Sequence, residues 1–230
     1  VSNDIVITSD RAIYFKNEEK VYTTGNSKAI SENNTITASS LEYDKINNIF
    51  KAKKNAVAYD FEKDTIIYAD EITYLKNENK IFTKAKTEAF IQKKYKFDSE
   101  NVTYLGNTKK LFSQKKSTVE DDNGNIYKLD SFLYSIDNDL LKGKNVKVLA
   151  KVDKDKTDQY FFSEGFFNFK DKSHLAKETK IKMHKDIFGD MNQDPRIYGS
   201  SSLSDQNKTV IKNAIFTSCK INDNCPPWSI

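Results

Sequence analysis

Residues 68–82 read YADEITYLKNENKIF and contain the pattern that decides the fold. Here Ile72 and Tyr74 alternate with polar residues, a polar cluster at 76–80 follows, and the apolar pair Ile81-Phe82 comes next. Alternation with a period of two is typical of a β-strand that buries one face. Clusters of Asn, Lys and Glu tolerate the backbone geometry of turns. The stretch therefore predicts a strand, a tight turn and a returning strand.

The same apolar-x-aromatic triplet recurs along the chain at steps of 28, 31, 30, 30 and 35 residues. An apolar pair lies eight or nine residues after the first member of each triplet. A fixed period of this size indicates a repeat architecture. The six triplets are Ile13-Tyr14-Phe15, Leu41-Glu42-Tyr43, Ile72-Thr73-Tyr74, Val102-Thr103-Tyr104, Phe132-Leu133-Tyr134 and Phe167-Asn168-Phe169.

A hairpin of this size cannot bury its apolar face alone, so the units must stack on one core. We predict an all-β fold: an elongated antiparallel β-jellyroll or β-solenoid of two-strand repeats, each about 30 residues long. Two sheets face each other, with rows of aromatic and aliphatic residues inside. Strict alternation places Tyr68, Ile72 and Tyr74 on one face together with Asp70. The facing of the returning strands stays open.

Composition argues against several functional classes. The 37 basic and 33 acidic residues nearly balance, and arginine, which reads bases and grips phosphates, occurs only at positions 11 and 196. Seven glycines and two histidines favour neither a phosphate loop nor a metal centre, and no GxSxG or HExxH motif is present. We therefore predict no catalytic residues, no metal, no cofactor, no nucleic-acid partner and no enzymatic activity. No run of about 20 apolar residues predicts a membrane-spanning helix.

The first strand of a stack has unpaired backbone groups along one side. The segment Ile5-Val6-Ile7 contains no proline and no charge. One interpretation is an open edge to which a strand of a partner protein adds. The other is an ordinary first strand of the domain, and the sequence leaves both open.

Cys219 and Cys225 are the two cysteines of the chain. With five residues between them they can close a short disulfide loop, worth about 2 kcal/mol if the loop is unstrained. Such a disulfide indicates an oxidising compartment such as a periplasm. Two reduced thiols, or pairing with cysteines of a longer chain, are the alternatives.

The repeat resembles the OstA-like domains of the lipopolysaccharide transport proteins. The closing residues, Phe216-Thr217, Cys219 and 225–230 (CPPWSI), resemble the junction at which the LptD family passes from its periplasmic domain into an outer-membrane barrel. The repeat period resembles that of the family over nearly the whole chain, and the closing motif resembles it over about fifteen residues. It implies an OstA-like β-jellyroll at 1–218 and, at 219–230, a junction to a barrel that the sequence does not contain.

The resemblance also implies a function, the transport of lipopolysaccharide to the outer-membrane surface. An LptA-like bridge protein would add its strand at Ile5-Val6-Ile7, and an LptE-like lipoprotein would bind through the barrel. The location would be the cell outer membrane, with this domain on the periplasmic side. Alternatives are the bridge protein of the same pathway and a structural β-solenoid without lipid transport.

An apolar trough suits acyl chains because hydrophobic burial is non-directional and lets a chain slide. We expect the apolar members of the triplets to line this trough. They are Ile13, Phe15, Leu41, Tyr43, Ile72, Tyr74, Val102, Tyr104, Phe132, Tyr134, Phe167 and Phe169.

Overall fold

The computed structural model describes residues 5–31, 33–62, 64–220 and 228–229, the last two by their backbone. Antiparallel strands make up most of these residues, joined by turns and four short 3₁₀ segments. The prediction of an all-β antiparallel fold is confirmed. Within the described residues, no helix has the length and apolar character needed to cross a membrane.

The chain forms two compact units, 1–115 and 116–230. The strands of the first unit are β1 (Val6–Thr8), β2 (Arg11–Phe15), β3 (Lys20–Ile30), β4 (Asn34–Asp44), β5 (Ile49–Asp60), β6 (Thr65–Leu75), β7 (Lys80–Ile91), β8 (Tyr95–Glu100), β9 (Thr103–Leu105) and β10 (Lys110–Ser113). Those of the second are β11 (Ser117–Glu120), β12 (Ile126–Leu129), β13 (Ser131–Ser135), β14 (Leu140–Asp153), β15 (Lys156–Asn168), β16 (Ser173–Lys182), β17 (Arg196–Ser204), β18 (Thr209–Lys212), β19 (Ile215–Thr217) and β20 (Trp228–Ser229).

Each long strand of the first unit bends near its middle. The register shifts there between neighbouring strands, for example between Lys53 and Ala56 of β5. Residues at these bends have positive φ, among them Asn55 at 53° and Ala85 at 62°. An extra residue in a ladder bends the strand and increases its twist. The halves of each strand on either side of the bend therefore belong to two different sheets.

We name the two sheets of this unit by the turns at their outer ends. Sheet A ends at the connections from β3 to β4, β5 to β6 and β7 to β8, and sheet B ends at the turns 16–19, 45–48, 76–79 and 106–109. The bends form the corner between the sheets. Thr83 lies at this corner, where its hydroxyl accepts a hydrogen bond from the Val102 amide at 2.9 Å. The hydroxyl thus pairs a backbone amide at the irregular part of the ladder.

The bends correct the facing predicted for β6. Ile67 and Ala69 are buried, whereas Tyr68 is 42% exposed and points away from the core. Between Ala69 and Glu71, β6 has one residue fewer than the facing stretches of β5 and β7, and the inward side of β6 changes there. Ile72 and Tyr74 face inward as predicted, but Tyr68 does not share their face.

The register also corrects the first triplet. Ala12 pairs with Thr23, and Thr23 is buried beside Leu41. Since paired residues share a face, the inward residues of β2 are Ala12 and Tyr14. By this register Ile13 and Phe15, paired with Tyr22 and Lys20, lie on the outer face and not in a trough, although every residue of β2 is exposed, Tyr14 at 52%.

The sixth triplet shifts in a similar way. Phe132 pairs with Gly143, and Gly143 pairs with Gly165, so Gly165 is the counterpart of Phe132 on the next repeat. When Ala12 and Gly165 replace Ile13 and Phe167 as the first positions of their repeats, the inward positions recur at steps of 29 to 33 residues. They are Ala12, Leu41, Ile72, Val102, Phe132 and Gly165.

The second unit is bent in the same manner, with positive φ at Asn145 and Glu178. Its interior is a cluster of aromatic rings. Tyr127 and Phe167 approach to 5.4 Å between centroids, and Phe162 and Phe167 to 5.7 Å. These contacts join residues from the two sides of the bends, so each unit takes the form of a two-sheet jellyroll.

Candidate functional site

A cavity of about 230 Å³ lies between sheets A and B of the first unit. Side chains from both sheets form its walls, which places the two sheets face to face. We call this cavity the groove. Its apolar walls are formed by Ile5, Ala29, Ile36, Ala58 and Ile67 on one side and Phe50, Tyr74, Ile81 and Tyr104 on the other.

Small residues keep the groove open. On sheet A the returning strands contribute Ala29 and Ala58, which pair with Ile36, and Ala58 also pairs with Ile67. Each alanine leaves space that a larger side chain would fill, and a void between packed layers results. The corner below the groove is closed, because Leu41 and Ile72 are 3% and 1% exposed.

The equivalent row of the second unit carries larger residues. Its returning strands contribute Val148 and Ile181, and these pair with Tyr160, while Val148 also pairs with Tyr127. Val148 and Ile181 are each 6% exposed. These larger side chains fill this row in the second unit, whose cavity is lined instead by Tyr127, Phe167, Phe169 and polar residues.

The rim of the groove is polar. Ser31, Asn33, Asn34, Asp60 and Glu62 line it on the side of sheet A, and Asn79 and Gly106 line it on the side of sheet B. Asn79 donates to the Asn107 Oδ1 at 3.1 Å, which ties two neighbouring turns of sheet B together. The groove thus has apolar walls and a polar mouth, an arrangement that suits an amphiphile.

The walls of the groove are uncharged. Burial raises the pKa of the Tyr74 hydroxyl above its usual value near 10, so the phenol is neutral at physiological pH. Tyr43 on β4 pairs with Phe50 on β5 and stacks on its ring with centroids 4.2 Å apart, so it supports the wall from the side. A neutral, aromatic and aliphatic wall binds hydrocarbon through its area and imposes little direction on it.

The structure separates the predicted lining residues into groups. Tyr74 and Tyr104 line the groove, and Tyr43 supports it. Leu41, Ile72 and Val102 are buried at its closed corner. The members from the second unit are at most 8% exposed: Phe132, Tyr134, Phe167 and Phe169. Of these, Phe167 and Phe169 also line the polar cavity of that unit.

Apart from Ile5, the wall of sheet A could not be found from the aromatic triplets, because Ala29, Ile36, Ala58 and Ile67 lie outside them. The signal that was available is the recurrence of alanine on the returning strands, beside isoleucine on their partners.

The second unit holds a polar cavity of about 350 Å³ at the end of its aromatic core. Asp121, the acid most deeply buried there, accepts hydrogen bonds from the Asn125 side chain at 2.8 Å and the Tyr127 hydroxyl at 3.2 Å. Its oxygens are therefore engaged in holding a turn. Among the described residues, no group of three or more His, Cys, Asp or Glu is arranged to hold a metal ion.

His174 lines this cavity, and its burial predicts how the stability of the second unit changes as the pH falls. Burial beside Phe162 and Phe167 lowers its pKa, and its Nε2 lies 3.2 Å from the Ser202 hydroxyl. The folded state then binds fewer protons than the unfolded state, whose histidine titrates near 6.5. The stabilising effect of the neutral ring is present above that pH and is lost as the pH falls below it.

The unfolding free energy of the wild type is expected to fall between about pH 7 and pH 5, and we expect this fall to be smaller in His174→Gln. Urea unfolding at both pH values measures this. The control is His184→Gln, since His184 instead contacts Asp158, with Nδ1 and Oδ1 2.8 Å apart. An unchanged slope in the His174 variant would contradict the assignment.

The N-terminal residues form an edge in the first unit. Val6 pairs with Ile30 and Ile7 with Ala29, so Ile7 faces inward and Val6 is 55% exposed on the outer face. Among the described strands of this unit, β1 and β2 both pair with β3. Ile5 lines the groove, so the apolar wall reaches this edge.

Cys219 is disulfide-bonded in the structure. Its predicted partner, Cys225, lies outside the described residues, as do Pro226 and Pro227. The pairing of the two cysteines stays a prediction.

No family model matches this sequence, and no curated protein matches it. Among the solved structures that match is LptH of Pseudomonas aeruginosa, described as the LptA-homologous periplasmic component of the conserved lipopolysaccharide transport device. The two sequences are 14% identical, and the match covers 45% of this chain and 76% of LptH with a TM-score of 0.42. A likeness at this level assigns neither family nor function, so function rests on the geometry of the groove.

Proposed function

We propose that the first unit carries the acyl chains of lipopolysaccharide in its groove, as part of transport toward the outer membrane. The observation that carries this proposal is the cavity between the two sheets, apolar on both walls and polar at its mouth. Acyl chains lie between the walls and the polar headgroup stays at the rim.

The energetics suit transport. Each buried methylene contributes about 0.8 kcal/mol, and this interaction is non-directional. A chain held in this way advances without breaking specific hydrogen bonds at each step. The apolar wall extends to the N-terminal edge through Ile5, which gives lipid a continuous path at that end of the unit.

We assign the chain, within this pathway, to the periplasmic domain of an LptD-like protein. The support is the sequence of the closing residues, with Cys219 in a disulfide and a Cys-Pro-Pro-Trp motif at 225–228. On this proposal residues 1–218 form the jellyroll and 219–230 lead toward an outer-membrane barrel with its LptE-like partner. An LptA-like bridge protein adds its strand beside β1 and β2.

A photo-crosslinking amino acid tests the proposed contact with lipid. Placed at Tyr74 or Ile36, on opposite walls of the groove, it is expected to capture lipopolysaccharide in cells. The matched control is Glu42, which lies on the outer face of sheet B, 3.4 Å from the Lys53 ammonium. Capture from Glu42 with none from the two wall positions would overturn the proposal.

A further inference from the structure

The outer face of the second unit carries an extended row of basic and aromatic side chains. Along this row Lys128 pairs with Lys147, Lys147 with Phe161, Phe161 with Lys180, and Lys180 with Tyr198. The neighbouring positions Val148 and Ile181 face the core, so the row faces outward. Lys182 and Arg196 form a second row beside it. We call the residues Lys128, Lys147, Phe161, Lys180, Lys182, Arg196 and Tyr198 the basic face.

Three ammonium groups converge on one ring of this face. The Nζ atoms of Lys147, Lys180 and Lys182 lie 5.3, 5.9 and 5.9 Å from the centroid of Phe161. Lys180 is also 5.2 Å from the centroid of Tyr198. Cation–π attraction to the ring orders the three side chains, but the uncharged ring does not neutralise their positive charges. Like charges held together in this way attract an anion.

Some lysines on other outer faces form ion pairs with acids. Lys142 and Lys177 lie 3.0 and 3.4 Å from Glu164, on the same unit. By contrast, the cations of the basic face make no ion pair with any acid of the described residues. Arg196 donates to the carbonyl oxygen of Asp194 at 2.9 Å, which positions the guanidinium and leaves its charge in place.

Three acids lie at the margins of the basic face. Glu120 is on the neighbouring strand, opposite Ile126, and Glu178 is at the bend of β16. Asp194 precedes Arg196 by two residues, and its carboxylate lies 3.6 Å from the Lys185 ammonium. Strands are about 4.8 Å apart, so the five strands that supply the basic face spread its charge over roughly 20 Å. A charge of one sign spread over such a length fits an extended anionic surface better than a single small anion.

We propose that the basic face docks the second unit on an anionic lipid bilayer. The ammonium groups meet lipid phosphates while the lysine stems and the rings of Phe161 and Tyr198 lie at the headgroup level, where aromatic residues are favoured. Each lysine near such a surface contributes about 1 kcal/mol, or about fivefold in binding. This docking concerns an outer face and does not depend on the lipid groove of the first unit.

The test is co-sedimentation of the 230-residue chain with vesicles of phosphatidylcholine that do or do not contain phosphatidylglycerol. We expect binding to the phosphatidylglycerol vesicles alone, weakened by salt because screening shortens electrostatic reach. Lys147→Gln combined with Lys180→Gln is expected to weaken binding roughly 25-fold. Lys142→Gln combined with Lys177→Gln removes the same formal charge from the same unit and is expected to leave binding within about threefold.

Arginine variants separate charge from folding. Lys147→Arg combined with Lys180→Arg retains the charge and is expected to retain vesicle binding. Equal weakening by the two glutamine pairs, loss of binding in a folded arginine variant, or no binding by the wild type would each overturn the proposal. So would full release from vesicles by stoichiometric inorganic triphosphate, since that result indicates a discrete phosphate site. Ala58→Trp, a change within the groove, is expected to leave vesicle binding unchanged.

Discussion

Replacing Ala58 by tryptophan is expected to abolish lipid capture by the groove without unfolding the protein. Ala58 lies in the middle of the sheet A wall, between Ile36 and Ile67, and its methyl group borders the cavity. An indole there occupies the space of several methylenes of an acyl chain. Each excluded methylene costs about 0.8 kcal/mol, so we expect lipopolysaccharide binding to fall on the order of a hundredfold.

The measurement is crosslinking yield from Tyr74 together with binding of purified lipopolysaccharide. Thr37→Trp is the matched control, because Thr37 pairs with Val57 on the outer face of the same sheet. That variant is expected to bind lipid normally, and thermal unfolding should show both variants folded. Normal lipid binding by a folded Ala58 variant would show that acyl chains do not enter the groove.

Truncating Phe167 is expected to have the opposite consequence. The protein should lose much of its stability, while lipid binding by the groove should change little. The sequence predicted this residue as trough lining, but its ring packs against Tyr127, Phe162 and His174 and is 4% exposed. Deleting a packed ring removes its burial and leaves a cavity, at a cost of about 3–5 kcal/mol. That is a large part of the stability of an ordinary domain.

Urea unfolding of Phe167→Ala measures this loss. The adjacent residue supplies the control, since Phe166 lies on the outer face, 37% exposed, with its ring 5.0 Å from the Lys142 ammonium. Phe166→Ala is expected to cost less than about 1 kcal/mol. Equal destabilisation by the two variants would contradict the facing of β15. Lipid crosslinking from Tyr74 per folded molecule should be unchanged in both.

The pairing of Cys219 with Cys225, the strand-adding partner at the N-terminal edge and the barrel beyond 219–230 remain predictions. The edge has a physical basis in the structure, because β1 and β2 each pair with β3 and have no second partner among the described strands. Exposed edge strands of this kind associate with other strands unless they are covered.

The alternation of side chains was sufficient to predict strands, their antiparallel hairpins and the inward facing of Leu41, Ile72, Val102 and Phe132. It was insufficient at the bends. The inward side of β6 changes where β5 and β7 each have one more residue than β6, and the period of two carries no mark of this change. This is why Tyr68 was misplaced. Ile13 and Phe15 were misplaced for another reason. The inward positions of this repeat begin at Ala12, one residue before the predicted triplet.

The local sequence determined that this chain forms stacked β-hairpins with apolar rows, because side-chain periodicity acts within a single strand. Which rows enclose space and which fill it was decided by tertiary structure. Ala58 and Val148 both read as inward residues of a strand. Whether a void or a packed layer results depends on the summed volumes of side chains from two opposing sheets, and residues far apart in the sequence supply those volumes.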